Sequence, residues 1–176
     1  KGGLAVAGTA PGVGGIAGVL GFVELDPYKM ASGVYRSGGI LDRDKSAIVY
    51  HRDGKTATVS MVKVEAGMSI RTNGKTDASL SLEPDRRIAL DEPTMVLTGA
   101  LPLLFHPRAR TAANIGFGSG LTSHVLLASD TLQEVDTIEI EGAMVEAAQG
   151  FRPRNEAVYS DPRSRIFIED AKTFFS

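Results

Sequence analysis

The pentapeptide Gly116-Phe117-Gly118-Ser119-Gly120 stands between a β-rich apolar run, TAANIGF, and a helical apolar run, LTSHVLLAS. Glycines at such a junction let the chain turn sharply and let a ligand approach main-chain atoms. Glu139 closes the next β-rich run, EVDTIEI, and Asp170 closes a third, RIFIE, within Glu169-Asp170-Ala171. An acid at the end of the second strand of such a unit can accept both hydroxyls of a ribose. An acid after the third can accept from an exocyclic amine, while the neighbouring N–H, that of Ala171, meets a ring nitrogen. Three strand ends in one row therefore predict a nucleoside site. The glycine spacing is G-x-G-x-G, with Leu121 where a dinucleotide fingerprint has its last glycine, which argues against NAD. No Lys or Arg stands in the loop, so a non-phosphorylated nucleoside fits better than a nucleotide. Taken singly, each feature has a plainer reading: a tight turn, a surface charge at Glu139, an N-cap at Asp170.

The elements that must position these residues fall into two textures. From residue 46, SAIVYHR, KTATVSMVKV, MSIRT and KTDASLSL are separated by Asp53-Gly54, Glu65-Ala66-Gly67 and Asn73-Gly74. Asp-Gly and Asn-Gly between β-rich runs are hairpin signals, because both turn residues must tolerate positive φ. The pattern predicts an antiparallel meander of about four strands, with ASGVYRSGGIL as an extra one. Such a sheet needs a cover, and the expected cover is the next segment. There Asp91 caps a helix over EPTMVLTGALPLLF, which is apolar almost all round and so should be buried, with Pro102 kinking or ending it. After His106-Pro107-Arg108, strands alternate with helices: TAANIGF as a buried strand, GSGLTSHVLLAS, EVDTIEI, GAMVEAAQGF, RIFIE and DAKTFF. Alternation of this kind implies βαβ units and a parallel sheet. The fold class is α/β (α+β overall). A small N-terminal antiparallel β-domain over 46–90 precedes the first half of a Rossmann-like parallel sheet over 91–176, with a Gly/Ala-rich lead-in over 1–45.

Composition sets further limits. The 176 residues carry 19 Lys+Arg and 21 Asp+Glu, a net charge of −2, which asks for no nucleic-acid partner. Residues 1–84 hold 10 basic and 8 acidic side chains, the remainder 9 and 13. Cysteine is absent, which excludes disulfides, thiolate metal sites and a Cys nucleophile. His51, His106 and His124 are too scattered for a His-rich metal site and read as structural or surface residues. Residues 4–23 hold twenty uncharged positions, six of them Gly and one Pro. That length allows a membrane segment, but the composition suits an irregular lead-in better. GTAPGVGG lacks the Lys-Ser/Thr of a phosphate-gripping loop.

HPRARTAANIGFGSGLTSHVLLAS, VDTIEIEGAMVEAA and DPRSRIFIEDAKTFF resemble the spermidine synthase-like polyamine aminopropyltransferases, whose nucleoside domain is close to that of class I S-adenosylmethionine-dependent methyltransferases. The resemblance covers residues 46–176. DPYKMASGVYR also resembles the lead-in of bacterial members whose synthase domain follows a membrane region, so a cytoplasmic protein with membrane linkage at its N-terminus is implied. The resemblance implies no cofactor. It implies decarboxylated S-adenosylmethionine as aminopropyl donor, methylthioadenosine as product and a polyamine acceptor, and it leaves a homodimer open. Gly116, Gly118, Ser119 and Gly120 would lie beside the sulfonium end and ribose. Glu139 would hold the ribose, Ile140 would flank the adenine, and Asp170 would bind its amino group. The chain also departs from the family. Ser119 replaces an Asp that touches the aminopropyl amine, Thr58 and Met95 stand near positions usually Gln, or Gln or His, and Asp77 stands near another Gln. The family's catalytic Asp follows a fourth strand, so it is expected downstream of Ser176. The chain is then expected to be part of a longer protein and inactive alone, with the open edge of TAANIGF capped by another chain or by residues 4–23. Two other readings stay open: a methyltransferase, and a non-catalytic nucleoside-binding domain.

Overall fold

A computed structural model describes residues 25–65, 67–83 and 87–176. The run 4–23, and with it the membrane question, lies outside the described residues. Among the described residues no helix is long and apolar enough to cross a membrane.

The meander forms as expected. β1 (Ser46–Asp53), β2 (Thr58–Val64), β3 (Gly67–Thr72) and β4 (Lys75–Leu80) make a four-stranded antiparallel sheet in sequence order. Asn73 (φ 49°) and Gly74 (φ 80°) supply the two positive φ values that a two-residue hairpin turn requires. The Asn73 side chain locks the turn by accepting from the N–H of Thr58 at 3.0 Å. Asp53-Gly54 behaves differently. Asp53 pairs with Thr58, leaving residues 54–57 as a four-residue loop closed by the N–H of Gly54 on the carbonyl of Ala57. Gly54 takes no positive φ. The loop is longer because the carboxylate of Glu141 fills it, accepting from the N–H groups of Thr56 and Ala57.

ASGVYRSGGIL is not a strand. Its centre is a single helical turn, α2 (Val34–Ser37), bracketed by Gly33 and Gly38 with left-handed backbone, after α1 (Pro27–Met30). Left-handed residues at both ends break the extended geometry that a ladder needs. This segment caps the meander on one side, where Arg71 Nη1 donates to the carbonyl of Ala31 at 2.9 Å.

The cover of the other face is also not the expected one. The helix predicted from Asp91 is present as α3 (Glu92–Phe105), running past Pro102 for one more turn. Only Glu92 and Gly99 of α3 are buried, while Val96, Leu97, Leu101, Leu104 and Phe105 are exposed. Asp91 makes no side-chain cap; its carboxylate takes the hydroxyl of Ser79 instead. The meander is covered by α5 (Gly142–Ala148) and the 3-10 turn Gln149–Phe151. Ala143, Met144, Ala147, Ala148 and Phe151 share one core with Val59, Met61, Met68, Ile70, Ala78 and Leu80. An alanine-rich helix face is thin, so it approaches a sheet more closely than the bulky α3 can.

The second sheet is parallel, β5 (Thr111–Ile115), β6 (Glu134–Glu139) and β7 (Ser164–Ile168), in the order β5-β6-β7. α4 (Leu121–Leu127) follows β5, α6 (Glu156–Ser160) precedes β7, and α7 (Ala171–Phe174) follows it. β6 is central, with Val135, Thr137, Ile138 and Glu139 buried. β5 was expected to be buried but pairs only with β6 among the described residues, and Thr111, Ala113 and Ile115 are exposed. The helix α6 was not foreseen, because EAVYS is too short to show a helical period.

One buried ion pair ties α3 to the rest. Glu92 accepts from the N–H groups of Ser81 and Ala89 and from Arg154 Nη2 at 2.8 Å, while Arg154 Nη1 donates to the carbonyl of Ser81. Burial pushes the Glu92 carboxyl up, but those backbone donors and the guanidinium outweigh it, and its pKa lies below the usual 4.5. A depressed pKa means stability held above the unfolded value and lost as pH falls through the folded one. Glu92→Gln should therefore cost about 2–3 kcal/mol at neutral pH and flatten the loss of stability between about pH 5 and pH 3. Urea melts of parent and variant across that range check this; parallel acid profiles would rule it out.

Candidate functional site

The carboxyl ends of β5, β6 and β7 open into one cleft of about 220 Å³, lined by Ile115, Gly116, Ile138, Glu139, Ile140, Glu169, Asp170 and Ala171. This volume is below the roughly 300–1,000 Å³ of sites that enclose a ligand, so the cleft meets one side of a guest. Five of the residues singled out in the sequence meet here: Gly116, Glu139, Ile140, Asp170 and Ala171.

Glu139 is the centre of the arrangement. It is 8% exposed, Oε2 accepts from the N–H of Phe117 at 2.8 Å, and Oε1 accepts from the N–H of Glu141 at 2.9 Å. The same carboxylate thus fastens the glycine loop to the end of β6. Each oxygen keeps a second acceptor position for a guest hydroxyl. Asp170 caps α7, Oδ1 accepting from the N–H groups of Lys172 and Thr173, and the residue is exposed at the cleft. The capping role read as the plainer alternative is therefore real, and Oδ2 has no part in it. Ile115 and Ile140 present aliphatic surface to solvent on either side of the Gly116–Glu139 edge.

The other four do not line the cleft. Gly118 (φ 52°) faces Ala78 of β4, whose Cβ lies 3.9 Å from where a side chain would begin. Gly120 (φ 78°) is packed against the ring of Phe117. Ser119 is 1% exposed, and its hydroxyl lies 3.1 Å from Met95 Sδ and accepts from the N–H of Leu121. Asp77 sits on β4, held by the hydroxyl of Thr72 and by Lys75 Nζ at 2.5 Å. Thr58 is likewise engaged, bonding Asp53 at the hairpin base. Among the described residues no group of three His, Asp or Glu could hold a metal ion. His51 bonds Ser60 from β1, His106 ends α3, and His124 accepts from the N–H of Ala157. Burial, then the nearby Arg154, holds the His124 pKa below its usual value.

Two supporting residues escaped the sequence reading. Asn155 is fully buried and its Nδ2 donates to the carbonyls of Ser119, at 2.7 Å, and Ala148, at 2.8 Å, pinning the glycine loop to the end of α5. Its Oδ1 has no partner. Glu141 caps α5 through the N–H of Ala143 and reaches across to Thr56 and Ala57. Burial raises its carboxyl, but these donors prevail and set its pKa below the usual 4.5. Asn directly before EAVYS and Glu directly before GAMVEAA are N-cap positions, the one signal that marked either.

A parallel sheet with a glycine loop after its first strand and acids after its second and third is the arrangement of an open α/β unit with its crevice at the carboxyl ends of the strands. Residues 95–176 match the family model of the spermine/spermidine synthase domain. The polyamine aminopropyltransferase of Alkaliphilus oremlandii is 28% identical over 74 residues, which is 42% of this chain and 26% of that protein. Putrescine N-methyltransferase 3 of Nicotiana tabacum is 32% identical over 74 residues, 42% of this chain and 19% of that protein. The fold is similar to spermidine synthase from Thermotoga maritima, with a TM-score of 0.64 at 19% identity over 77% of this chain and 44% of that one. The chain thus spans about a quarter of the first relative and under half of the solved structure. The resemblance to the spermidine synthase-like aminopropyltransferases holds over this part of the chain.

Asn155→Ala would leave two buried carbonyls unpaired. It should cost about 2–3 kcal/mol, measured by urea unfolding. A loss below about 0.5 kcal/mol, the range of a surface change, would mean that the loop does not rely on this amide.

Proposed function

We propose that the cleft binds the adenosine half of decarboxylated S-adenosylmethionine, and that the protein transfers its aminopropyl group to a polyamine, with methylthioadenosine as the other product. The single observation that carries this reading is the row Gly116, Glu139, Ile140, Asp170 and Ala171 along three strand ends. In it Glu139 accepts from the ribose hydroxyls, and Ile115 and Ile140 give a flat purine aliphatic contact. Asp170 accepts from the adenine amine, and the N–H of Ala171 meets a ring nitrogen. No cationic side chain lines the cleft, which suits a guest without phosphate.

The reaction itself is a displacement. The acceptor's amine nitrogen bonds to the donor carbon as that carbon's bond to sulfur breaks; the sulfonium becomes a neutral thioether, and the amine gives up a proton. Positioning supplies much of the rate, and a carboxylate near the amine takes the proton. Within the cleft the carboxylates are Glu139, Glu169 and Asp170. Glu139 and Asp170 are committed to main-chain donors and, in this reading, to the nucleoside. In this reading Glu139 and Asp170 serve the donor's adenosine half, and Glu169 is the lining carboxylate not assigned to it.

Methyl transfer is the second reading, favoured by the similarity to a putrescine N-methyltransferase and by Ser119. That side chain is neutral and buried against Met95, so it offers no charge to an aminopropyl amine. Isothermal titration with methylthioadenosine, decarboxylated S-adenosylmethionine and S-adenosylmethionine distinguishes the two. Preference for the decarboxylated donor favours aminopropyl transfer, and preference for the intact methionine favours methyl transfer.

Glu139→Ala should weaken methylthioadenosine binding by about 1.5–3 kcal/mol, the scale of lost charge-assisted hydrogen bonds. Unchanged affinity in a folded variant would remove Glu139 from the ribose. Gly116→Val should act too, because Gly116 has φ 91°, lines the cleft, and has nothing within 4 Å of a would-be Cβ. The new side chain would occupy guest space at a strain of about 1–3 kcal/mol. Titration giving the parent affinity would sink that assignment.

A further inference from the structure

Glu141 does not line the cleft, yet it is buried, at 5% exposure, one residue beyond Ile140. Oε1 accepts from the N–H of Ala143 at 3.1 Å, as a helix cap. Oε2 accepts from three donors of the meander: the N–H of Thr56 at 2.7 Å, the hydroxyl of Thr56 at 2.9 Å and the N–H of Ala57 at 3.3 Å. Gly54 makes room for this: a Cβ there would lie 2.2 Å from Glu141 Oε1. The backbone N–H of Glu141 in turn donates to Glu139 Oε1, and Glu139 Oε2 holds the N–H of Phe117. A continuous chain of hydrogen bonds thus runs from loop 54–57, through two carboxylates, to the glycine loop.

We propose that Glu141 is a positioning residue of the cleft: it couples loop 54–57 of the meander to the carboxylate of Glu139 and, through it, to the glycine loop. Where Glu141 sits depends on how far the meander loop holds its carboxylate, and its N–H aims one oxygen of Glu139. A loop displaced from Glu141 frees that oxygen to rotate and loosens Phe117. Because Glu139 also faces the guest, the meander gains control of the cleft without lining it. The consequence for affinity rests on the nucleoside reading given above; the coupling between loops does not.

Glu141→Asp separates the two roles. Aspartate is a strong N-cap, so the bond to Ala143 is kept, but a side chain shorter by one methylene withdraws from Thr56 and Ala57. The expected result is amide exchange at Phe117 about fivefold faster, the size of one net hydrogen bond, with exchange at Val135 and Ile138 unchanged. Methylthioadenosine affinity should fall by a similar factor. Thr56→Val removes one of the three donors, tests the same link should Glu141→Asp fail to fold, and should shift Phe117 in the same direction by less. Unchanged exchange at Phe117 overturns the proposal. So does acceleration there matched by Val135 and Ile138, which would be loss of global stability alone. Faster exchange with full retention of affinity also overturns it. A parent chain that does not bind methylthioadenosine defeats the nucleoside reading instead, and exchange at Phe117 still decides the coupling.

Discussion

Gly150 lies so close to the meander that a Cβ there would fall 2.3 Å from the sulfur of Met61 and 3.4 Å from that of Met68. This contact is the seam between the two sheets. Close packing of two elements depends on small residues on one side and adaptable ones on the other. Ala143, Ala147, Ala148 and Gly150 provide the first, and Met61 and Met68 the second. Glu141 fastens the other end of the same helix to loop 54–57. Because α5 directly follows β6, the strand that ends in Glu139, its attachment at both ends fixes the cleft relative to the antiparallel sheet. A single shared core, rather than two cores joined by a linker, is the result.

Polar groups buried by this arrangement are met by charge. Arg154 and Glu92 satisfy the end of β4 and the start of α3. Arg163 donates to the carbonyls of Leu127, Ser129 and Leu132 beyond the end of α4, with Asp161 as its counter-ion. Buried or half-buried guanidinium groups of this kind stabilise loops that lack secondary structure of their own, because five donors in a fixed plane can serve several carbonyls at once. In the segment 152–163, Arg154 and Arg163 serve carbonyls in this way, while Arg152 lies over the ring of Tyr159 and pairs with Glu156.

Much of this was legible in the residues. Asn73-Gly74 marked its turn because only such pairs tolerate two left-handed residues. Alternating strands and helices after His106 announced a parallel sheet, and the glycine loop with Glu139 and Asp170 marked the cleft. What could not be read was which helix covers the meander. α3 has more apolar residues, yet α5 wins because its alanines allow close approach, a property of shape rather than hydrophobicity. The contacts of Ser119 with Met95 and of Asp77 with Lys75 follow from packing within a loop and on a strand edge, which the local sequence does not record. Glu141 and Glu92 act through partners 85 and 62 residues distant, and no local pattern records such pairs.

The edge of β5 has a colloidal consequence. Its five residues, TAANI, are short and mildly apolar, with main-chain groups on one side unpaired by any described strand. Such an edge templates the addition of like strands. Directly before it stand exposed Arg108 and Arg110, which act as gatekeepers: stacking two copies in register sets like charge against like charge. That protection is electrostatic and is screened over about 10 Å at 0.1 M salt.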